Sequence, residues 1–562
     1  MSAGVTERLA AGATTRRPRW LLRDVLGRRP TITGLAVGLV AWWASLGPSL
    51  LPRSWPLQAA ISGICLAVGY AVGTGAATLV GAVARRVGVR GSPTARRVAV
   101  SAIGPLAGIV VGGALVVWPV NQDAQRALVG LPPAPSFVVV PLVVTTLAVA
   151  VVLGAVGRLL GHALVVLDSL ALRALHRVVW RSAATVALVA VLPLVSRDIV
   201  ASGVVAWADD RFGALEPAAA DLDVTPPASP SVSGSAASSV DWDTLGYEGR
   251  RVVAGVSTLA ELRRTAADPA AVRAPVRVYV GERSAPTLAA RVALAVRELE
   301  RTGGFDRAVL AVVATTGRGG VADDALRALE HLHAGDTAVV ALQYGHLPSW
   351  LTYLVDRHTP AEAAAALWQG VRDRWLQLPP AERPRLVLFG ESLGAYGAEA
   401  GLARDGVRSP AELAAEADAV LLAGPTAANP VRAALGDDPG PEVAVAEGKA
   451  DLRRLARERT RPRVLYLEHP SDPVRSWELA TIWRPPAWTR PPNGVDVPDS
   501  TRWFPFVTWL QTVGDLVSAS AVPSGHGHDY DEEFLAAWEA LVPPPGWTGS
   551  DHQRLTAALG VG

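Results

Sequence analysis

The chain has 562 residues, more than one ordinary domain needs, and 50% of them are hydrophobic while only 19% are charged. This average is typical of a membrane-embedded part joined to a water-soluble part. A net charge of +2 offers no electrostatic basis for binding nucleic acid, and a single cysteine, Cys65, excludes both an intrachain disulfide and a cysteine-based metal site.

Apolar runs in the first 207 residues predict helices that span a membrane. Residues 1–30 are polar and rich in arginine, and the first run lacks the cleavage site of a signal peptide, so we expect a cytoplasmic segment and a retained anchor. The runs long enough to cross about 30 Å of hydrocarbon are 32–51, 57–83, 98–120, 137–156 and 183–206. The last run is interrupted by Arg197 and Asp198. The pattern predicts an all-α transmembrane bundle of about five helices over residues 31–207.

The arginines predict which way this bundle faces. They concentrate in residues 1–30, 85–97 and 158–181, which the predicted spans place on one side of the membrane. The positive-inside rule makes that side cytoplasmic. Five spans then put the rest of this multi-pass cell-membrane protein outside the cytoplasm, whereas four spans would keep it inside. Residues 159–176 predict an amphipathic helix at the membrane surface, because three of its side chains would be costly within lipid: His162, Asp168 and Arg173.

The rest of the chain predicts a linker followed by a catalytic domain. Residues 208–240 are rich in proline, serine and alanine, which is typical of a flexible linker. Over residues 241–562 short apolar runs alternate with helical patterns, which predicts an α/β fold with a mostly parallel sheet. The predicted strands are 276–280, 308–315, 337–343, 385–389, 418–423 and 463–467. The predicted helices are 285–302, 323–332, 360–376, 395–403 and 531–541.

One predicted strand runs directly into a Gly-x-Ser-x-Gly motif centred on Ser392. In a nucleophile elbow, a sharp turn between strand and helix holds the serine hydroxyl above the sheet. The turn is so tight that the residues two positions away must lack bulk, and Gly390 and Gly394 meet that condition. The alternative is a glycine-rich turn in which Ser392 only caps the helix.

An acid and a histidine follow the serine in the chain order of an α/β-hydrolase triad. Asp472 comes after the second predicted strand beyond the elbow, where such folds place the acid; the alternative is an aspartate that only forms a turn before proline. Two histidines precede the last predicted helix. We expect His528 to be the base, with His526 as the alternative. A lone histidine pair is a poor metal site, so we expect no metal and no cofactor.

The chemistry requires each of these groups. A serine hydroxyl attacks only when an imidazole takes its proton, and the imidazole needs an acceptor on its other nitrogen. The oxyanion that forms needs backbone N–H donors, which we assign to Leu393 and to the loop at Thr316 and Gly317.

The chain resembles a bacterial family of membrane-bound α/β-hydrolases, once described only as a domain of unknown function, with an N-terminal multi-helix domain and a C-terminal catalytic domain. The motifs that carry the resemblance are SLGPSLLPR (45–53), WDTLG (242–246), RVYVG (277–281), ERTGGFDR (300–307), LPSWL (347–351), GESLG (390–394), HPSDP (469–473) and GHGH (525–528). The resemblance implies a serine hydrolase fold and supplies no substrate.

These patterns predict a membrane-anchored serine hydrolase that cleaves an ester of a lipid or of the cell envelope. Aromatic side chains between the acid and the histidine would line an acyl pocket, rest at the lipid interface or simply pack: Trp477, Trp483, Trp488, Trp503, Phe504, Phe506 and Trp509. Two alternatives remain. One is an acyltransferase that uses the same acyl-enzyme, and the other is a membrane transport or signalling protein whose hydrolase domain only binds.

Overall fold

The computed structural model describes residues 31–88, 93–174, 222–404, 406–435, 440–458 and 461–560. Within these ranges the chain forms a helical part at the N-terminus and an α/β part from residue 222 onwards. The predicted cytoplasmic segment 1–30 and the predicted fifth span 183–206 lie outside the described residues.

The first four apolar runs each form one helix. These are α1 (Ile32–Ser45), α2 (Trp55–Arg86), α3 (Pro93–Leu128) and α4 (Val139–Ala174). Trp42 of α1, Trp118 of α3 and Leu142 of α4 are buried in one apolar cluster that holds the helices together. Residues 159–174 are helical, as predicted, and continue α4 without a break. Their position at the membrane surface stays a prediction.

Two helices of the described chain are long and apolar enough to cross a bilayer, over Trp55–Arg86 and Val139–Leu160. The apolar helix Ile32–Ser45 is shorter. In the most apolar 18-residue window of each helix only 22% and 11% of the residues are buried inside the protein, so most of each window faces outward. Two such helices are weak evidence for a membrane association, and the number of five spans stays a prediction.

The α/β part is built on a seven-stranded sheet in which every neighbouring pair is parallel, in the order β1-β3-β2-β4-β5-β7-β6. The strands are β1 (Val276–Val280), β2 (Val309–Ala314), β3 (Thr337–Leu342), β4 (Arg385–Glu391), β5 (Ala419–Ala423), β6 (Val443–Ala446) and β7 (Val464–Leu467). The inner strands read as continuous apolar runs because helices cover both faces of a parallel sheet. The six predicted strands are confirmed to within two residues at each end.

The strand that sequence analysis missed is β6, which has four residues and lies at the sheet edge. Its two central residues are only half-buried, so it carries a weak apolar signal. Asp472 consequently follows the third strand after the elbow along the chain, not the second. In the sheet, β7 still lies directly beside β5, because β6 takes the outer position.

Right-handed crossovers explain which helices cover which face. The main helices of the α/β part are α5 (Gly246–Ala254), α6 (Leu259–Thr265), α7 (Leu288–Arg301), α8 (Asp323–Leu332), α9 (Ser349–Val355), α10 (His358–Leu376), α11 (Leu393–Arg404), α12 (Pro410–Glu416), α13 (Pro430–Ala433), α14 (Lys449–Leu455), α15 (Pro473–Ser476), α16 (Val507–Val517), α17 (Phe534–Leu541) and α18 (Gly549–Leu559). Helices α7, α10 and α11 lie in connections that cross the sheet in the direction from β1 to β5, and they pack together on one face. Helices α8, α14 and α17 pack on the other face.

The end of the predicted linker is part of the folded α/β part. Val232 is fully buried and pairs with Arg277 of β1, and Ser233 donates its N–H to the carbonyl of Arg277 at 2.9 Å. The prediction of a flexible linker therefore does not hold for residues 231–240. The serine-rich composition concealed this, because backbone hydrogen bonds to a strand edge do not depend on side-chain type.

Candidate active site

Ser392 stands alone between the end of β4 and the start of α11. Its φ angle is +55°, and it is one of three non-glycine residues with positive φ in the described part of the chain. This conformation is strained for any residue with a side chain. The N–H of Ser392 donates to the carbonyl of Ala423 at the end of β5, at 2.9 Å. The backbone geometry is that of a nucleophile elbow.

The two glycines of the motif allow the elbow to pack closely. A Cβ atom on Gly390 would lie 2.6 Å from the backbone of Gly394. A Cβ atom on Gly394 would lie 2.2 Å from the carbonyl oxygen of Ala314, the last residue of β2. Real Cβ atoms do not approach backbone atoms this closely, so α11 can begin against the end of β2 only because both positions are glycine.

The loop after β2 is a tight turn beside the elbow. The N–H of Thr316 donates to the carbonyl of Gly320 at 2.9 Å, so this predicted oxyanion donor is already engaged within the turn. Gly317 lies against the segment that follows β3, where a Cβ atom would be 2.3 Å from the carbonyl of Leu347. Leu393 is the first residue of α11, and its N–H is among those that an α-helix leaves without an intrahelical partner.

Asp472 and His528 form a hydrogen-bonded pair at the carboxyl ends of the strands, where the elbow also lies. His528 Nδ1 lies 2.7 Å from Asp472 Oδ2, and the aspartate side chain is fully buried. The imidazole lies against Gly424, where a Cβ atom would be 2.4 Å from His528 Cε1. Gly424 directly follows Ala423, the residue that accepts the N–H of Ser392. The structure therefore brings the predicted acid and base to the strand end beside the elbow.

The pair shifts the pKa of both groups. Burial by itself would raise the pKa of Asp472, but the charge and hydrogen bond of His528 hold it below its usual value. Burial would lower the pKa of His528, yet Asp472 and the nearby charge of Glu391 raise it to about 9. The imidazole therefore keeps its proton to higher pH than an ordinary histidine does. Because only neutral imidazole accepts a proton, its capacity as a base increases as pH rises to about 9.

His526 lies in a different place from His528. Its Nδ1 is 3.1 Å from Oδ2 of Asp496. The same carboxylate accepts the N–H of Ser471 on Oδ1 at 3.1 Å and the Ser471 hydroxyl on Oδ2. The hydroxyl of Ser471 accepts in turn from the N–H of Gly527 at 2.9 Å. His526 thus belongs to a network that joins the acid loop (residues 468–472) to the histidine loop (residues 518–530). The carboxylate partner of His526 is Asp496, whereas that of His528 is Asp472.

His469 is a buried residue of this site to which sequence analysis assigned no role. Its Nε2 lies 2.7 Å from Glu533, its Nδ1 lies 2.9 Å from the carbonyl of Gly527, and its ring stacks on Tyr530 at 4.2 Å. Burial would lower the pKa of His469, but Glu533 raises it. The signal for this residue was its place in the same five-residue motif as Asp472.

Three aromatic rings lie together next to the elbow helix. Tyr353 of α9 packs edge-on against Tyr396 at 6.4 Å and against Trp477 at 6.1 Å. Tyr396 is four residues beyond Ser392 and Trp477 is five beyond Asp472. Trp350, which is on α9 with Tyr353, is 62% exposed. One of the predicted aromatic residues therefore lies near the site, and the neighbouring α9 presents an apolar surface to the outside.

The predicted aromatic stretch also reaches the N-terminal helices. Phe504 packs edge-on against Trp43 of α1 at 6.3 Å, and Trp503 Nε1 donates to the carbonyl of Thr481 at 2.9 Å. Trp483, two residues after Thr481 in the chain, is 60% exposed. Within the described ranges, no group of three or more His, Cys, Asp or Glu side chains has an arrangement that would hold a metal ion.

A parallel sheet whose middle strand ends in a strained serine, with a buried Asp–His pair at the same edge, defines the α/β-hydrolase class. The chain belongs to an α/β-hydrolase family: residues 276–555 match the model described as the alpha/beta-hydrolase family, and residues 46–256 match that of the family's N-terminus. Searches of curated proteins and of solved structures each found no match.

Replacing Gly394 by alanine should disrupt the elbow, because the added methyl group would meet the backbone of β2. We expect Gly394→Ala to lower the free energy of unfolding by about 3 kcal/mol, measured by chemical denaturation of the full-length protein. Gly549→Ala in α18 is the control, since nothing lies within 4 Å of its Cβ position, and we expect little change there. Equal stability of both variants would contradict the close packing of the elbow.

Proposed function

We propose that this protein is a serine hydrolase in which Ser392 is the nucleophile, His528 the general base and Asp472 the acid that orients the base. The observation that carries this proposal is the 2.7 Å bond between Asp472 and His528 at the strand end beside a strained Ser392. With Nδ1 bonded to Asp472, the imidazole has Nε2 available for the serine proton. Membership of an α/β-hydrolase family supports the same reading.

The reaction follows the usual sequence for acyl transfer to serine. Ser392 Oγ attacks the ester carbonyl while His528 Nε2 takes the hydroxyl proton, and the carbonyl oxygen becomes an oxyanion. The N–H of Leu393 and one N–H of the loop after β2 stabilise that charge; we favour Gly317, because the N–H of Thr316 is engaged by Gly320. His528 then returns the proton to the leaving alcohol. Water, deprotonated by His528 Nε2, then attacks the acyl carbon. The bond from that carbon to Ser392 Oγ breaks, Oγ takes the proton back from His528, and the carboxylic acid leaves.

The substrate class that we propose is an ester of a lipid or of a cell-envelope acyl group. The cluster of Tyr353, Tyr396 and Trp477 next to the elbow offers apolar surface for an acyl chain. The exposed indole of Trp350 and the outward apolar faces of the N-terminal helices suit contact with a bilayer. A substrate that partitions into lipid would reach the site from that surface.

Replacing Ser392 by alanine should abolish covalent labelling by a fluorophosphonate probe and reduce the hydrolysis of model esters by at least about 1,000-fold. The physical reason is that no other oxygen nucleophile replaces Ser392 Oγ at the elbow. Labelling is measured by mass spectrometry of the modified peptide, with Ser500→Ala, at an exposed serine, as the matched control. Loss of only a few-fold in activity would remove Ser392 from the nucleophile role.

Separate His528→Gln and His526→Gln variants should differ sharply in their rate of probe labelling. We expect His528→Gln to lose nearly all labelling, because the serine proton then has no acceptor. His526→Gln should retain labelling within about tenfold, since His526 only supports the loop through Asp496. If the His526 variant is the inactive one, the base is misassigned while the hydrolase proposal stands.

We also infer, from the distribution of arginines, that the α/β part lies outside the cytoplasm. A reporter that is active only outside the cytoplasm, fused after Gly562 of the full chain, should then be active. The matched fusion to a reporter that is fluorescent only in the cytoplasm should stay dark. The reverse pattern would mean that residues 183–206 do not cross the membrane.

A further inference from the structure

The stretch that joins α1 to α2 is the point where the two parts of the protein meet. It comprises residues 45–53, here called the docking segment, and it lies against α16 of the α/β part. Its sequence, SLGPSLLPR, was one of the motifs that carried the family resemblance, and the proposed reaction assigns it no role.

The docking segment satisfies a buried carboxylate on α16. Arg53 Nη1 lies 3.2 Å from Asp515 Oδ1, and both side chains are completely buried. The hydroxyl of Ser49 donates to the same oxygen at 2.9 Å, and the N–H of Leu50 donates to Oδ2 at 3.1 Å. A buried carboxylate is costly unless it is paired and hydrogen-bonded. All three of these contacts come from the docking segment, so the position of α16 depends on it.

Three glutamines hold the docking segment in place. Gln511 of α16 donates its side-chain N–H to the carbonyls of Ser45 at 3.2 Å and Gly47 at 3.0 Å. Gln58 of α2 accepts from Arg53 Nε at 2.9 Å, and Gln125 of α3 donates to the carbonyl of Ser49 at 2.8 Å. Helices from both parts of the protein thus fix the same nine residues.

The end of α16 leads directly to His528. Two residues after α16 ends, the carbonyl of Ala519 accepts the N–H of His528 at 2.8 Å. Leu51 of the docking segment reaches the same loop, since a Cβ atom on Gly527 would be 3.4 Å from Leu51 Cδ1. Leu51 is also buried in one apolar cluster with Val522. The docking segment therefore supports the histidine loop both through α16 and by direct contact.

We propose that the docking segment positions His528, so that the N-terminal helices and the α/β part act as one catalytic unit. Arg53 and Leu51 hold α16 and the histidine loop in the conformation in which His528 meets Asp472. The inference rests on the proposed role of His528 as the base. It makes Arg53, Leu51 and Asp515 positioning residues, which act on the reaction only through His528.

The test uses Asp515→Asn and Leu51→Ala in the full-length protein, with the rate of fluorophosphonate labelling of Ser392 measured from pH 6 to 10. The groups that face His528 are unchanged in both variants: Asp472, Glu391, Asp529 and Tyr530. A loosened pair with Asp472 should lower the limiting rate at alkaline pH by about 10-fold to 100-fold. It should also move the midpoint of the pH profile below that of the unaltered protein, because the pKa of His528 returns towards its ordinary value.

A destabilised protein with an intact site would behave differently, and Glu330→Gln is the control for that case. Glu330 and Arg277 form another buried ion pair, at 2.6 Å, near the sheet edge formed by β1 and away from the elbow. This variant should lose thermal stability, yet keep the midpoint and the limiting rate per folded molecule. Melting temperatures of all variants are measured alongside the rates.

The outcomes separate the inference from the proposed function. If Ser392 of the unaltered protein is not labelled, the proposed function fails before any variant is compared. If the unaltered protein is labelled and Asp515→Asn keeps its midpoint and limiting rate, as Glu330→Gln should, the docking segment does not position His528. Leu51→Ala leaves the ion pair intact, so it decides the question if Asp515→Asn does not fold.

Discussion

The buried carboxylate of Asp472 is the group on which the geometry of the site depends. A fully buried charge must be surrounded by hydrogen-bond donors, and Asp472 has three: His528 Nδ1, the Tyr530 hydroxyl and the N–H of Val474. The first two come from the histidine loop, so satisfying this one charge forces two distant stretches of chain together. The pair of His469 and Glu533 repeats the principle alongside. The site is thus assembled by the need to satisfy buried charges.

The order of the strands decides where that assembly lies relative to the serine. In a parallel sheet the loops that follow the strands all lie at the carboxyl ends of the strands, and ligands bind in the crevice there. Because β7 (Val464–Leu467) lies beside β5 (Ala419–Ala423), and β5 beside the elbow strand, the acid loop and the elbow are separated by one strand only. His528 bridges that gap by resting on Gly424.

The same logic extends to the N-terminal helices. Asp515 is a second buried carboxylate, and its donors come from the stretch between the first two apolar helices. The aromatic contact of Phe504 with Trp43 adds a second junction between the two parts. Two junctions therefore join the α/β part to the apolar N-terminal helices. In our proposal, the junction at Asp515 is how the N-terminal helices act on the position of His528.

Local physics determined much of this protein from sequence alone. The glycines around Ser392 and the apolar strands follow from steric and burial rules that act within a few residues, and these predictions match the fold. The choice between His526 and His528 depended on partners far along the chain, Asp496 and Asp472. The packed end of the linker, the edge strand β6 and the docking segment were likewise decided by contacts between remote residues. Only the folded chain brings such groups together, and no local pattern encodes which of two similar neighbours meets which charge.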